Sequence, residues 1–543
     1  MLKTKFIVIT GGVLSGLGKG VVTASIGRIL KAQGYKVTAI KIDPYLNFDA
    51  GTMRPTEHGE VFVTNDGGET DQDLGNYERF LDEKILKNHS ITAGQVYLQV
   101  IQNERNLEYK GKCVEIIPHI PQEIKRRILE VSKDTKADFV LIEVGGTTGD
   151  YQNFLFLETL REMKRESNNM VFVHVAYLPV PGNIGEMKTK PAQHSVRFLN
   201  ESGILPDIII ARAQGLIDEV RREKLSLFCN VKKDEVIGAP DVKNIYEIPL
   251  LFESQGLGKK IIEKFGLKYK NGKLAEWSKF IEKTKKANKT VKIGIVGKYF
   301  DTGDFTLEDS YISVIESIKH AAWNNDARHQ ISWIDSKIYE TNPLKLKELD
   351  SLDAIIVPGG FGSSGVEGKM LAIKYAREKK IPYLGICYGM QLAIIEYARN
   401  VCGLKDANTT ENDKKTPYPV IDILKEQIEK LKRKDYGGSM RLGAYPAKLK
   451  KGTKVYSLYG KEMISERHRH RYEVNPEYIS KLESKGMVFS GESPDRKLME
   501  FIELPGHPYF IGTQAHPEFN SSPMKPNPLF DGLVKAALSK RRV

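Results

Sequence analysis

The chain has 543 residues, which at roughly 100–200 residues per domain predicts two to four domains with ample core. Hydrophobic residues make up 41% and charged residues 28%, the composition of an ordinary globular protein; no stretch approaches 18 apolar residues, which argues against a membrane span. The formal charge of +13, from 82 basic and 69 acidic residues, admits nucleic acid, highly anionic small substrates or a lysine-rich solvated surface as its cause.

The chain opens on "MLKTKFIVITGG", whose apolar run is too short for a signal peptide. Residues 6–10, 36–42, 138–144, 171–178 and 206–212 are short, β-branched and apolar without polar alternation, the pattern of strands buried on both faces of a parallel sheet. A helical pattern over 21–34, closed by Gly34, lies between the first two, so the rhythm is that of a doubly wound α/β fold. The rhythm pauses over 268–290, which carries eight lysines, and restarts at "VKIGIVG" (291–297). Further apolar segments follow in "DAIIVPGGFG" (353–362), "PYLGICYGMQ" (382–391) and "YFIGTQAHPEF" (509–519). Two α/β domains are expected, 1–267 and 291–543, joined by a basic, partly helical linker, with the polar stretch near 405–440 as a surface excursion.

Between the first strand and the first helix lies "GGVLSGLGKG" (11–20), close to a phosphate-binding loop but not identical to one. In the usual pattern four residues separate the two glycines, and the lysine precedes a Ser or Thr that holds magnesium. Here five residues separate Gly12 from Gly18, and Lys19 precedes Gly20, which has no hydroxyl. Backbone N–H groups and the helix N-terminus still favour an anion, and Lys19 adds a point charge. A metal would need carboxylates from elsewhere. Asp71 and Asp73 in "GGETDQDLG", on one face if that segment is extended, and Glu143 at the end of an apolar strand are the candidates. Taken alone, either acid reads sooner as a solvated or capping residue than as a ligand; following a phosphate loop, the strand-end Glu143 reads as a metal ligand. Lys41, Lys188, Lys190, Arg222 and Lys224 are further cations that an anionic ligand could meet.

In the second half, Gly385 and Gly389 flank Cys387 as G-x-C-x-G between a strand and a helix, the cysteine form of a nucleophile elbow. His516 and Glu518 in "AHPEF" supply a base and its orienting group, and the backbone of "PGGFG" is a candidate oxyanion hole. The chemistry fits amide hydrolysis through a thioester. The other cysteines, Cys113, Cys229 and Cys402, make no metal spacing with it and read as free thiols in a reducing compartment, with the cytoplasm as the expected location.

These motifs, with "KIDPYLNFDAGTMRPTEHGEVFVTNDGGETDQDLGNYERF", "GEMKTKPAQHSV", "VGKY", "GGSMRLGAYP" and "ERHRHRYEVNP", resemble the CTP synthase family over nearly the whole chain. The resemblance implies a P-loop-like, doubly wound amidoligase domain followed by a class I glutamine amidotransferase domain. It implies amination of UTP at the pyrimidine 4-position, with ATP as co-substrate, a phosphorylated UTP intermediate, magnesium, and ammonia from glutamine passed through an internal tunnel. Ser15, Gly16, Leu17, Gly18, Lys19, Gly20, Lys41 and Asp73 would bind ATP, and Asp73 and Glu143 the metal. Ser15, Asp150, Tyr151, Gln152, Lys188, Thr189, Lys190, Pro191, Ala192, Gln193 and Lys224 would bind UTP, and in part CTP as feedback inhibitor. Cys387, His516 and Glu518 would form the triad. Gly360, Tyr388, Gly389, Met390, Gln391, Glu411 and Arg471 would hold glutamine. GTP would be an allosteric activator, and the family assembles as homotetramers and can form filaments; neither nucleic acid nor a membrane is an implied partner.

The sequence departs from the family pattern at Lys110, Glu115, Gln152, Ala192, Ser364 and Tyr388. None is a triad, phosphate-loop or metal residue. Gln152 and Glu115 bear on pyrimidine contacts. Lys110 and Ser364 lie in regions the family uses for activation, and weak stimulation by GTP is the expectation. Two other readings compete: another ATP-dependent glutamine amidotransferase, such as a cobyric-acid-type synthetase, and a nucleotide-sensing or filament-forming protein without turnover.

Overall fold

A computed structural model describes residues 4–182, 185–270, 272, 274–297, 301–302, 305–306, 308–360, 362–423 and 440–540. The chain divides into two compact units: Met1–Ala50 with Asp73–Ile281, and Gly51–Gln72 with Glu282–Val543.

Among the described residues, the first unit is built on a sheet with the strand order Ser90–Thr92, Val37–Asp43, Phe139–Val144, Lys5–Gly11, Met170–Tyr177, Ile208–Ala213, Val236–Pro240. Each adjacent pair is parallel. Val37–Asp43 and Phe139–Val144 are buried at every position, because helices cover both faces, and this is why those strands lack polar alternation. The first helix runs Lys19–Ala32, two residues ahead of the expected start, and buries Val22, Ile26, Ile29 and Leu30 along one face. It ends before Gly34, whose φ of 86° only glycine takes without strain. Ligand sites in such sheets form at the carboxyl ends of the strands. There the register sets Lys41 beside Glu143 and Glu143 beside Ile9, just ahead of the phosphate loop.

The lysine-rich join contains a helix, Ala275–Lys286, with an apolar side. Trp277 and Phe280 pack with Tyr246, Trp277 also lies against Phe80, and the Trp277 indole donates to the Tyr246 carbonyl at 2.7 Å. Burying a side chain such as Phe280 or Ile281 contributes roughly 1.5–3 kcal/mol relative to exposure, so this part of the join is docked rather than loose.

The second unit's main sheet has the order Ala327–Asp335, Lys289–Gly297, Ala354–Val357, Tyr383–Ile386, Phe510–Thr513, Met499–Glu503, Val488–Glu492, Arg441–Leu449, Met463–His470. The first five strands are parallel and the rest antiparallel. Ala407–Thr409, Tyr418–Ile423 and Tyr472–Val474 form a smaller sheet. The stretch near 405–440 is therefore not only a surface excursion: Ala407, Val420 and Ile421 are core residues. Residues 424–439 of that stretch, including Gly437–Ser439 of the "GGSMRLG" motif, lie outside the described residues, as do Lys298 and Phe361.

Candidate functional site

In the first unit, the phosphate loop turns through Val13, Gly16 and Gly18, all with positive φ, and exposes Val13 to Gly16. Lys19 is buried at the start of the helix, and its Nζ donates to the carbonyl of Gly146. Burial pulls its pKa below the usual lysine value, and the like charge of Lys41 adds to this. Gly20, where a hydroxyl residue would be expected, faces the Asp73 carboxylate: a Cβ there would overlap Oδ1. Asp73 is not part of an extended segment with Asp71. It opens a helix, Asp73–Leu81, which turns its carboxylate onto the loop, while Asp71 belongs to the other unit and lies 3.6 Å from His58.

Lys41 Nζ pairs with Asp73 Oδ2 and, at 2.8 Å, with Glu143 Oε1; the Tyr77 hydroxyl donates to Glu143 Oε2. Burial, then the neighbouring Asp73 charge, pushes the Glu143 carboxyl up to about 7. Burial opposes the charge of Asp73 too, but Lys41 outweighs it and holds that carboxyl below the usual range. A buried carboxylate, Glu143, and a half-buried one, Asp73, converge here beside a phosphate-binding loop. That donor set fits magnesium, which takes hard oxygens from one or two carboxylates and completes its shell with phosphates and water.

Lys188, Thr189, Lys190, Gln193 and Lys224 line one cleft of about 430 Å³ with Arg221 and Phe228. The Lys190 ammonium stands 5.7 Å from the Phe228 ring centroid, and Gln193 donates to Thr189 Oγ1 at 3.0 Å. Ala192 points into the core instead. Asp150, Tyr151 and Gln152 do not line this cleft: Tyr151 and Gln152 are exposed, and Asp150 accepts from the Thr147 N–H at 2.7 Å.

In the second unit, the strand Tyr383–Ile386 delivers Cys387 to the start of the helix Tyr388–Asn400 with φ 50° and ψ −103°, strained for a non-glycine residue as a nucleophile elbow requires. The Cys387 N–H donates to the Thr513 carbonyl at 2.7 Å, pinning the elbow to the strand that leads to His516. The Gln514 amide lies 3.8 Å from Sγ, and the thiol points at the Arg469 carbonyl at 3.9 Å. His516 Nδ1 meets Glu518 Oε1 at 2.7 Å, and the imidazole stacks on Phe519. Gly359 must be glycine, because a Cβ would come within 2.7 Å of the His516 ring.

A cavity of about 260 Å³ gathers Cys387, His516, Glu518, Gly359, Gly360, Tyr388, Gln391, Glu411 and Arg471. A cation and a carboxylate lining the same cavity as a nucleophile suit an amino acid's carboxylate and ammonium. Gly389 and Met390 face away: Met390 is wholly buried in the core, and the absent Cβ of Gly389 admits the Val357 carbonyl.

Several residues at these sites escape a motif reading. Arg469 pairs with Glu69 at 2.7 Å and Arg467 donates to Asn65 at 2.6 Å, so the quoted "ERHRHRYEVNP" and 41–80 blocks meet within one unit. Gln514 sits inside the quoted "TQAHPEF". His174 lies in a run taken only as apolar strand, and a lone titratable residue there was the available signal.

Comparison with known proteins adds an independent line. A family model described as "CTP synthase N-terminus" matches residues 5–267, and one described as "Glutamine amidotransferase class-I" matches 306–536. The chain is 54% identical over 539 residues to a CTP synthase of Pyrococcus furiosus, covering 98% of each chain. It is 53% identical over 544 residues to one of Methanocaldococcus jannaschii, covering 99% of each. Among solved structures, the glutaminase domain of Trypanosoma brucei CTPS with bound acivicin shares 36% identity, covering 46% of this chain and 94% of that one, with a TM-score of 0.42.

Proposed function

The chain belongs to the CTP synthase family, and from that premise we propose how its residues divide the work. It is a glutamine-hydrolysing ligase that consumes ATP to make CTP. The full-length likeness decides against a cobyric-acid-type synthetase. We assign 1–267 to CTP formation, 268–290 to the join and 291–543 to glutamine hydrolysis.

Glutamine enters the cavity with its carboxylate at Arg471 and its ammonium at Glu411, beside Gly360 and Gln391. The Cys387 sulfur attacks the side-chain amide carbon. His516 already holds the proton as an imidazolium paired with the Cys387 sulfur and gives it to the leaving nitrogen, so ammonia departs and a thioester remains. Glu518 holds the imidazole's tautomer and offsets its charge. We assign the backbone N–H groups of Gly360 and Tyr388 to the oxyanion. Water then cleaves the thioester to glutamate.

In the first unit, Ser15 to Gly20 with Lys19 and Lys41 receive the ATP phosphates. Lys188 to Gln193 and Lys224 receive UTP, and CTP as inhibitor shares part of that surface. The uracil 4-oxygen is a poor leaving group, so it is first phosphorylated by ATP; ammonia then displaces phosphate. Two triphosphates in one site repel strongly. Magnesium held by Asp73 and Glu143 would supply the charge that offsets this.

Assembly as a homotetramer, with filaments within reach, is supported by apolar side chains left exposed on the first unit, among them Leu46, Phe48, Leu107 and Ile116. A cytoplasmic location accords with the reduced cysteines; among the described residues no helix is long and apolar enough to cross a membrane. GTP is proposed as a weak activator.

The observation that carries the reading is the His516–Glu518 bond beside Cys387 in a cavity that also holds Glu411 and Arg471. The test supplies UTP, ATP and Mg²⁺ with glutamine, then with ammonium, and follows CTP by absorbance. CTP with both donors supports it; no CTP with either defeats it. A nucleotide-sensing protein without turnover would bind the nucleotides and give none.

A further inference from the structure

Thr10 and His174 are register partners on adjacent parallel strands, at the ends that face the nucleotide sites. Thr10 Oγ1 lies 2.9 Å from His174 Nδ1, and His174 Nε2 lies 2.9 Å from Ser195 Oγ. Ser195 Oγ donates in turn to the carbonyl of Ala192 at 2.8 Å. All three side chains are buried, His174 and Ser195 completely.

A serine hydroxyl has one proton, and Ala192 takes it. The imidazole must therefore donate at Nε2, which leaves Nδ1 to accept from Thr10. A single neutral tautomer satisfies all three bonds. Burial, helped by the nearby Lys19 charge, holds the His174 pKa down to about 3, so the ring stays neutral and the three bonds select its tautomer.

The two ends of this chain of bonds are the important feature. Thr10 leads directly into the phosphate loop. Ser195 and Ala192 belong to the first turns of the helix Lys190–Glu201, which continues the Lys188–Gln193 segment. Gly12 of the loop is pressed against the same helix, since a Cβ there would overlap the Ser195 side chain. Thr148, after the Glu143 strand, adds a second strap: its N–H donates to the Gly11 carbonyl at 3.0 Å and its hydroxyl to the Ser195 carbonyl at 3.2 Å.

We propose that His174 is a positioning residue that fixes the phosphate loop and the Lys188–Gln193 segment at one relative setting, so that the ATP phosphate and the pyrimidine oxygen meet in line. The proposal rests on reading those two segments as the ATP and UTP sites. Phosphoryl transfer depends on this setting, because misplacing reactants by about 1 Å costs on the order of a hundredfold in rate.

The test measures ammonia-dependent CTP synthesis in wild type, His174→Leu, His174→Gln and Ser195→Ala. Leucine fills the space without a polar atom; the glutamine amide can both donate to Ser195 and accept from Thr10. The expected result is a fall in kcat of about a hundredfold for His174→Leu, with at least about tenfold recovered in His174→Gln. A space-filling role predicts the reverse order, with leucine the better substitute, and that order overturns the proposal. So does a His174→Leu kcat within about twofold of wild type, below any cost of displaced reactants. Should His174→Leu not fold, Ser195→Ala decides: a kcat reduced about tenfold supports the link, and one unchanged refutes it. Wild type run alongside separates these outcomes from failure of the functional reading, in which wild type itself makes no CTP.

Discussion

Nδ1 of His516 lies 2.7 Å from Oε1 of Glu518, and both side chains are buried. Burial disfavours the imidazolium, but Glu518 and the Cys387 sulfur outweigh it and lift the His516 pKa to about 10 from the ordinary 6.5. A raised pKa means that the folded state holds a proton the unfolded chain has released. The stabilisation is therefore complete below about pH 6.5 and is lost as pH rises through about 10. Unfolding midpoints should fall across that window in wild type and change less in Glu518→Gln; parallel curves would contradict the assignment. The same variant should lose roughly 10²–10⁴-fold in glutamine hydrolysis.

Gly20 is the second test. A side chain there would collide with the Asp73 carboxylate, so Gly20→Ala should displace Asp73 from Lys41. Overpacking of this kind costs typically 1–3 kcal/mol, or roughly 5- to 150-fold. The expected loss of that order falls on CTP synthesis with ammonium, and is read as a raised KM for ATP. An unaltered KM would mean that the Asp73 contact does not shape the ATP site.

Tyr388 supplies a third. Its hydroxyl accepts from the Asn412 amide at 2.8 Å and donates to the Gly362 carbonyl at 3.3 Å, while the Gly362 N–H donates to Glu411 at 3.0 Å. Gly362 is thus held at both ends, next to the glycines that would serve the oxyanion. Tyr388→Phe should lower kcat for glutamine hydrolysis by about tenfold at most, the worth of one buried hydrogen bond, with less change in KM for glutamine. An increased KM with unchanged kcat would place the hydroxyl in substrate binding instead.

A fourth concerns GTP. Lys110 and Ser364, at positions where the family pattern differs, are both exposed, and Lys110 adopts a φ of 54°. Glutamine-dependent turnover should change little on adding GTP; strong stimulation would show that these replacements leave activation intact.

The parallel sheet was readable because its strands are covered on both faces and so appear as unbroken apolar runs. The elbow at Cys387 was readable because its small neighbours are demanded by close backbone approach. Asp73 was visible as an acid but not as a helix start, since its role depends on the empty space above Gly20, 53 positions away in the chain. The apolar side of Ala275–Lys286 was hidden beneath its lysines. His174 was hidden for the opposite reason: a neutral, fully bonded imidazole is tolerated in a core, and one titratable residue in an apolar run belongs to no motif. Gln152 and Tyr151 stand exposed, apart from the cleft that Lys188, Lys190 and Lys224 line, so only the resemblance, and no packing signal, points to their role.

The central claim is that nitrogen freed by Cys387 becomes the amino group of CTP. Supplying glutamine labelled with ¹⁵N at the side-chain amide, together with UTP, ATP and Mg²⁺, tests it directly by mass spectrometry of the nucleotide. The account predicts ¹⁵N in the cytosine amino group for wild type, and for Cys387→Ala no labelled CTP but unlabelled CTP once ammonium is added. Labelled CTP from Cys387→Ala, or none from wild type, would contradict it.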